Sequence, residues 1–216
     1  PEEFWTLSIN FQDDKKRTIV SSISQLNGKK IEKFSFRNKN EIDSAITEIK
    51  DKKFNITDIS SKVVSRNPSG PFTTSTLQQV ASSRLGFGAS RTMQIAQRLY
   101  QGIEIDGETI GLITYMRTDG TNLSVDAISD FRDFVKNNYG NDYLPEKPLN
   151  YSGKKAKNAQ EAHEAIRPTD ISRTPDTLKK YLSSDQQKLY NLIWGRALSS
   201  QMETAKFDRN TITITT

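Results

Sequence analysis

The sequence predicts an α+β fold in two parts, and three observations carry that expectation. Alternating apolar and polar residues mark strands near both ends of the 216-residue chain. The middle carries helical periodicity, and a Ser, Asn, Pro and Gly-rich stretch at 65–71 separates the two regimes. Because the strand pattern returns only at 204–216, the β-rich part is expected to be discontinuous, 1–75 plus 204–216, with the helical part 76–203 inserted between.

Phe4 to Phe11, Ile31 to Phe36 and Thr211 to Thr216 each alternate as a strand with one buried face does. Asp13 to Arg17 is a polar connection, and Asn27-Gly28 is a turn signal. Glu41 to Asp51 reads as a helix, with Ile42, Ala45, Ile46 and Ile49 at i, i+3, i+4 and i+7 and Asn40 as its N-cap. Thr73 to Thr76 is a hydroxyl cluster that caps the next helix, although hydroxyls at a helix start also suit phosphate. Two helices, Thr76 to Leu85 and Ser90 to Tyr100, then flank Gly86-Phe87-Gly88, with Met93, Ala96, Leu99 and Tyr100 on the apolar face of the second. The pattern fits a DNA-binding helix-turn-helix and an ordinary αα-corner equally.

Glu104, Asp106 and Glu108 alternate, as Mg²⁺-binding carboxylates do in phosphoryl-transfer sites. Asp106-Gly107 is also a two-residue hairpin signal, so these acids are assigned to the solvated face of a hairpin and no metal site is expected. Ser124 caps a helix with Ala127, Ile128, Phe131, Phe134 and Val135 as its stripe, stopping near Gly140. A long loop with the basic run Lys154-Lys155-Ala156-Lys157 follows. Gln160 to Arg167 reads as a short helix with His163 and Arg167 on one face. On residues alone, this sole histidine is structural. Leu178 to Leu182 and Asp185 to Ala205 are helical again, the second carrying Leu189, Tyr190, Ile193, Trp194 and Leu198 as core.

Composition bounds the function. Hydrophobic content of 34% and charged content of 26% exclude a disordered chain. No apolar run approaches the ~20 residues of a bilayer span and no signal peptide opens the chain, so no membrane partner is expected. Zero cysteines exclude disulfides and thiolate metal sites, which suits a cytoplasmic protein. A net charge of +5 and a pI near 9.3 lean toward a polyanionic partner, but the excess is spread along the chain and a solvated surface explains it as well. The abrupt start at Pro1-Glu2-Glu3 and the end inside an alternating strand read as a segment cut from something longer.

The chemistry concentrates at Gly111 to Ser124. Leu112 to Met116 is β-rich and runs into polar Asp, Gly, Asn and Ser, so Tyr115 sits at a strand's lip. Period-two alternation sends Tyr115 and Arg117 to one side. A phenol titrates near pH ~10 and becomes a nucleophile at neutral pH only where positive charge favours its anion. Arg117 is the nearest such group, and its planar fork suits two phosphate oxygens. The spacing alone is common in structural settings.

The wording of the stretch is more specific. Leu112-Ile113-Thr114-Tyr115-Met116-Arg117-Thr118-Asp119, followed by Thr121-Asn122-Leu123-Ser124, resembles the active-site segment of bacterial type IA DNA topoisomerases. Pro71 to Gln79 continuing to Arg84 to Met93, and Gln160 to Thr169, resemble the same family in the same order. The resemblance implies a β-rich arch of a toroidal body carrying an inserted, mostly helical domain that bears the nucleophile. It implies Tyr115 as nucleophile, Arg117 as contact to the scissile phosphate, His163 as a hydrogen-bond donor to that phosphate or its neighbour, Arg167 as a residue that touches DNA or orients the site, and Asp119 as the anchor of the loop.

The implied reaction cleaves and rejoins one strand through a 5′-phosphotyrosine, relaxing negative supercoils. The implied partner is single-stranded or underwound DNA, handled by a monomer in the bacterial cytoplasm. Mg²⁺ serves the intact enzyme, held by a Toprim domain that has no counterpart here, so the chain alone is expected to be inactive. Met116 favours topoisomerase I or a reverse gyrase over the topoisomerase III branch. The family usually has Ser where this chain has Gly120, which predicts a looser backbone there. The competing reading is a non-catalytic single-strand DNA-binding module.

Overall fold

A computed structural model describes residues 2–151 and 163–216. It mixes helix and strand, and its contacts divide the chain into two compact units, 1–62 with 208–216, and 63–207. No helix among the described residues is long and apolar enough to cross a membrane.

In the first unit, β1 (Ser8–Gln12) pairs antiparallel with β2 (Thr18–Ser22). The connection is held by the Asp13 carboxylate, which accepts from the N–H groups of Lys15 and Arg17 and from the Arg17 guanidinium at 2.7 Å. The hydrogen bonds from the Arg17 N–H and side chain hold that carboxyl below its ordinary range. β3 (Gln25–Leu26) and β4 (Lys29–Lys30) form a hairpin on Asn27 and Gly28, both at positive φ, as the turn signal predicts. α1 (Lys39–Ile49) buries Ile42 and Ala45 against Phe36, with Trp5, Leu7, Ile23, Leu26 and Ile31 around them.

Three expectations for this unit are corrected. Ile31 to Phe36 is not a strand, because the Ser35 N–H bonds the Glu32 carbonyl and the Glu32 N–H bonds the Ser35 hydroxyl, closing a turn that still delivers both apolar ends to the core. The cap of α1 is Asn38 rather than Asn40. Its side chain accepts from the Glu41 N–H, while the Glu41 carboxylate reaches back to the Arg37 N–H. The strand at Phe4 to Phe11 begins only at Ser8.

β5 (Asn55–Arg66) pairs with β8 (Ala205–Thr215). In the second unit, α2 (Thr74–Leu85) starts at a capping box in which Thr73 and Thr76 exchange hydrogen bonds, so the hydroxyl cluster does cap a helix. α3 (Ala89–Gln101) follows after Gly86, at φ 68, and the buried Phe87. α3 buries Thr92, Ile95, Ala96 and Leu99; Tyr100, assigned to its apolar face, is exposed instead. β6 (Ile103–Ile105) and β7 (Glu108–Ile110) form the hairpin predicted at Asp106-Gly107. Glu104, Asp106 and Glu108 lie exposed along it, with Asp106 accepting from the Tyr181 hydroxyl.

α4 (Val125–Tyr139) starts at the Ser124 cap and stops at Gly140, as its sequence predicts. α5 (Ser184–Ser199) opens on a Ser183–Gln186 capping box and ends before Ala205, because Gln201 turns inward and pairs with both backbone groups of Leu149. Leu178 to Leu182 is a run of turns rather than a helix. The main core joins Phe72, Leu77, Leu99, Leu112, Ile113, Met116, Ile166, Leu189, Tyr190 and Ile193. A second cluster joins Phe131, Val135, Ile171, Ala197 and Leu198, and Trp194 packs on both.

Candidate active site

Residues 111–120 are irregular, bent at Thr114, Met116 and Arg117, and join no sheet beyond a single bridge between Ile113 and Pro168. The continuous strand expected from Leu112 to Arg117 does not form, because this stretch finds its partners one at a time on separate elements. The Leu112 N–H bonds the Leu99 carbonyl of α3, and the Leu112 carbonyl accepts from the Thr169 N–H. The Thr114 N–H bonds the Arg167 carbonyl, while the Thr114 hydroxyl donates to the Ala165 carbonyl at 2.7 Å and accepts from the Arg167 N–H at 3.0 Å. Beyond the tyrosine, the Thr74 hydroxyl at the start of α2 donates to the Met116 carbonyl and accepts from the Thr118 N–H, each at 2.8 Å.

Alternation nonetheless survives as burial. Met116, Thr118 and Gly120 are buried, whereas Tyr115, Arg117 and Asp119 point outward. Apolar contact draws Met116 into the core, and each inward residue obliges its neighbours to face solvent.

Tyr115 is 37% exposed, so its phenol is reachable. Its ring lies edge-on between Tyr100, 5.4 Å away, and His163, 5.6 Å away between centroids. A hollow of about 400 Å³ beside it is lined by Thr74, Ser75, Arg117, Thr118, Asp119 and His163. The sole histidine of the sequence thus meets the tyrosine across 48 positions of chain. Asp119 lines the hollow but is not the loop's anchor; Thr118 is. The Thr118 hydroxyl donates to the His163 carbonyl and accepts from the Gly120 N–H, both at 3.0 Å.

Gly120 is not loose either. A Cβ there would meet the His163 carbonyl oxygen at 2.1 Å, so the absent side chain lets the two segments close on each other.

His163 and Arg167 do not share a helix face. Residues 163–167 are extended, with Ile166 bridging Phe72, because their backbone groups pair with Asn122, Phe72 and Thr114 instead of with one another. Residues 160–162 of the predicted helix, and the basic run at 154–157, lie outside the described residues. The Arg167 fork grips Glu164, with Nε to Oε1 and Nη2 to Oε2 both at 2.8 Å, and its Nη1 donates to the Pro168 carbonyl. Glu164 also accepts from the Ser124 N–H at 2.6 Å, tying the start of α4 to the His163 segment.

Glu164 escaped the sequence reading, although a Glu three residues before an Arg was its signal. Burial pushes its carboxyl up, but the hydrogen bonds from Arg167 and the Ser124 N–H outweigh burial and leave it below the ordinary range. A carboxyl depressed in the folded state adds stability above its unfolded pKa and loses it as pH falls through the folded value. E164Q is therefore expected to cost about 1–2 kcal/mol in urea unfolding at neutral pH and progressively less in acid. A penalty unchanged from neutral pH down through the carboxylate range would contradict the pairing.

The family model described as DNA topoisomerase matches residues 1–216. DNA topoisomerase 1 of Rickettsia prowazekii is 50% identical over 207 residues, 96% of this chain and 26% of the relative. That of Haemophilus influenzae is 45% identical over 215 residues, 100% of this chain and 23% of the relative. The structure of full-length topoisomerase I from Thermotoga maritima superposes with a TM-score of 0.69 at 35% identity, covering 97% of this chain and 31% of that one. The chain thus spans about a quarter of the length of the curated relatives it matches. With the family match running from end to end, the chain belongs to the bacterial type IA DNA topoisomerases.

Proposed function

We propose that this chain carries the strand-breaking tyrosine of a type IA topoisomerase. The observation that carries the reading is the exposed Tyr115 phenol, set edge-on to His163 and beside a hollow lined by Arg117. Tyr115 Oη attacks the phosphorus of one DNA strand, the bond from phosphorus to the 3′-oxygen breaks, and the strand end stays on the enzyme as a 5′-phosphotyrosine. The phenol loses its proton and the departing 3′-oxygen takes one up, so the exchange is proton-neutral. One ester replaces another, and no nucleotide is consumed. Resealing reverses the step after the other strand has passed, which relaxes negative supercoils.

Arg117 holds the non-bridging phosphate oxygens and offsets the charge that grows on them. The His163 ring N–H donates to the same phosphate or its neighbour. Arg167, occupied with Glu164, acts by holding the His163 segment in place. Single-stranded or underwound DNA is the partner, taken up by a monomer in the cytoplasm. Among the described residues no group of three His, Cys, Asp or Glu converges as a metal ion requires.

The test uses a full-length enzyme carrying this chain in place of its corresponding segment. Y115F is expected to abolish the covalent adduct with single-stranded DNA while retaining non-covalent binding. An adduct that survives in Y115F refutes the reading. The 216-residue chain alone is expected to form no adduct and to relax no plasmid.

A further inference from the structure

α3 contains no Asp or Glu in its 13 residues. The face opposite its buried stripe carries Gln94, Gln97, Arg98 and Gln101, at i, i+3, i+4 and i+7. Together with Arg117 and the half-buried Met93, these residues line a groove of about 560 Å³. Gln94, Arg98, Gln101 and Arg117 are exposed, and the side chains of all five polar residues have no hydrogen-bond partner among the described residues. Arg91, one turn before Gln94, is already engaged with Asp185 and stacked over Phe87, so it stands apart from this set.

We infer that the groove is a binding track for single-stranded DNA that continues from the scissile phosphate along α3. The inference rests on the reading of Tyr115 given above and extends it. Arg117 lines both this groove and the hollow beside His163, so a backbone phosphate held there leads directly from one to the other.

Arg98 supplies the cation for the next phosphate. The three glutamines each present an amide that donates and accepts, which suits sugar and base edges without selecting a sequence. Three neutral amides interleaved with the Arg98 guanidinium, with Arg117 on the same groove and no carboxylate on the helix, complement a flexible polyanion. An acidic protein partner would draw on the cations but leave the row of amides without a role. From Ser90 to Gln101 the face is about 16 Å long, at 1.5 Å per residue, enough to guide a few nucleotides.

The experiment measures binding of the 216-residue chain to a fluorescent oligothymidine by anisotropy over a salt series. The double variant Q94E/R98E is expected to weaken binding about tenfold or more at low salt and to lower the salt slope by about one. The control K136E/K188E makes a comparable charge change on exposed positions of α4 and α5, and is expected to weaken binding by much less. R98Q, which keeps the helix free of added charge, should give a smaller loss in the same direction and guards against misfolding of the double variant, with both checked by circular dichroism.

Equal losses in the groove and control variants, unchanged binding in Q94E/R98E, tighter binding to a duplex of the same length, or no binding by the parent chain would each overturn the inference. Should the full-length enzyme form its adduct while the groove variants bind as the parent does, this inference alone fails. Should no Tyr115 adduct form at all, the reading of the site fails whatever the groove binds.

Discussion

G120S is expected to cut adduct formation by the full-length enzyme about a hundredfold while leaving the phenol, the guanidinium and the imidazole chemically intact. A Cβ at Gly120 would stand 2.1 Å from the His163 carbonyl oxygen and 3.2 Å from the Thr118 hydroxyl. The nearer obstacle is backbone, so the segment holding His163 must retreat or the loop behind Tyr115 must bulge. Either way, the Thr118 hydroxyl loses its place between the His163 carbonyl and the Gly120 N–H.

Overpacking of about 1–3 kcal/mol, with about 1 kcal/mol for the lost hydrogen bonding, should also lower the unfolding midpoint. Serine is the instructive replacement because it is the residue usual in the family that the sequence resembles. This chain has settled into a spacing that serine does not permit. Adduct yield in G120S equal to that of the parent, with His163 still beside Tyr115 by NMR contacts, would show that the close approach does not matter.

F72A is expected to be the costliest single change to stability, about 3–5 kcal/mol. Phe72 is 1% exposed within the main core, its carbonyl accepts the Ile166 N–H, and the Arg196 guanidinium stacks on its ring at 4.9 Å. Removing the ring opens a cavity beneath the segment that carries His163 and strips Arg196 of a cation–π contact worth about 1 kcal/mol. Whole domains are stable by only about 5–15 kcal/mol, so the loss is a large share. The two tryptophans make the measurement local, since Trp194 lies in the second unit and Trp5 in the first. Urea unfolding followed at Trp194 should shift strongly and that at Trp5 should not. A shift at Trp194 equivalent to under about 1 kcal/mol would contradict the packing argument.

Local codes were legible in the sequence wherever one short stretch contained the whole physical cause. Asn27-Gly28 and Asp106-Gly107 turn as hairpins because positive φ is needed there and those residues supply it. Thr73, Ser124 and Ser183 cap because their oxygens satisfy helix N–H groups two or three residues on. Legibility failed where the cause is remote. β2 and β5 lack clean alternation and are exposed on nearly every residue, and β8 is as exposed although its sequence alternates at 211–216, so the one buried face expected there is not found. Leu112 to Arg117 and His163 to Arg167 carried the composition of a strand and a helix. Their backbone groups are claimed instead by Thr74, Thr114, Phe72 and Leu99, from distant parts of the chain.

The site divides the same way. Tyr115, Arg117 and His163 could be named from their motif, and the coordinates gather them around one hollow and one ring contact. Thr118 could not be singled out, because its bonds to Thr74 and His163 reach more than 40 positions away, whereas Glu164 had a local signal in Arg167 three residues on but not in its bond to the Ser124 N–H.

The in-and-out rhythm from Tyr115 to Gly120 implies an asymmetry in how this segment can change. Each outward side chain can be exchanged without disturbing what lies beneath it. Deleting or adding a single residue between Ile113 and Tyr115 would turn the phenol toward the interior and methionine toward water, so an outward side chain that does no chemistry can change here but the length of the stretch cannot.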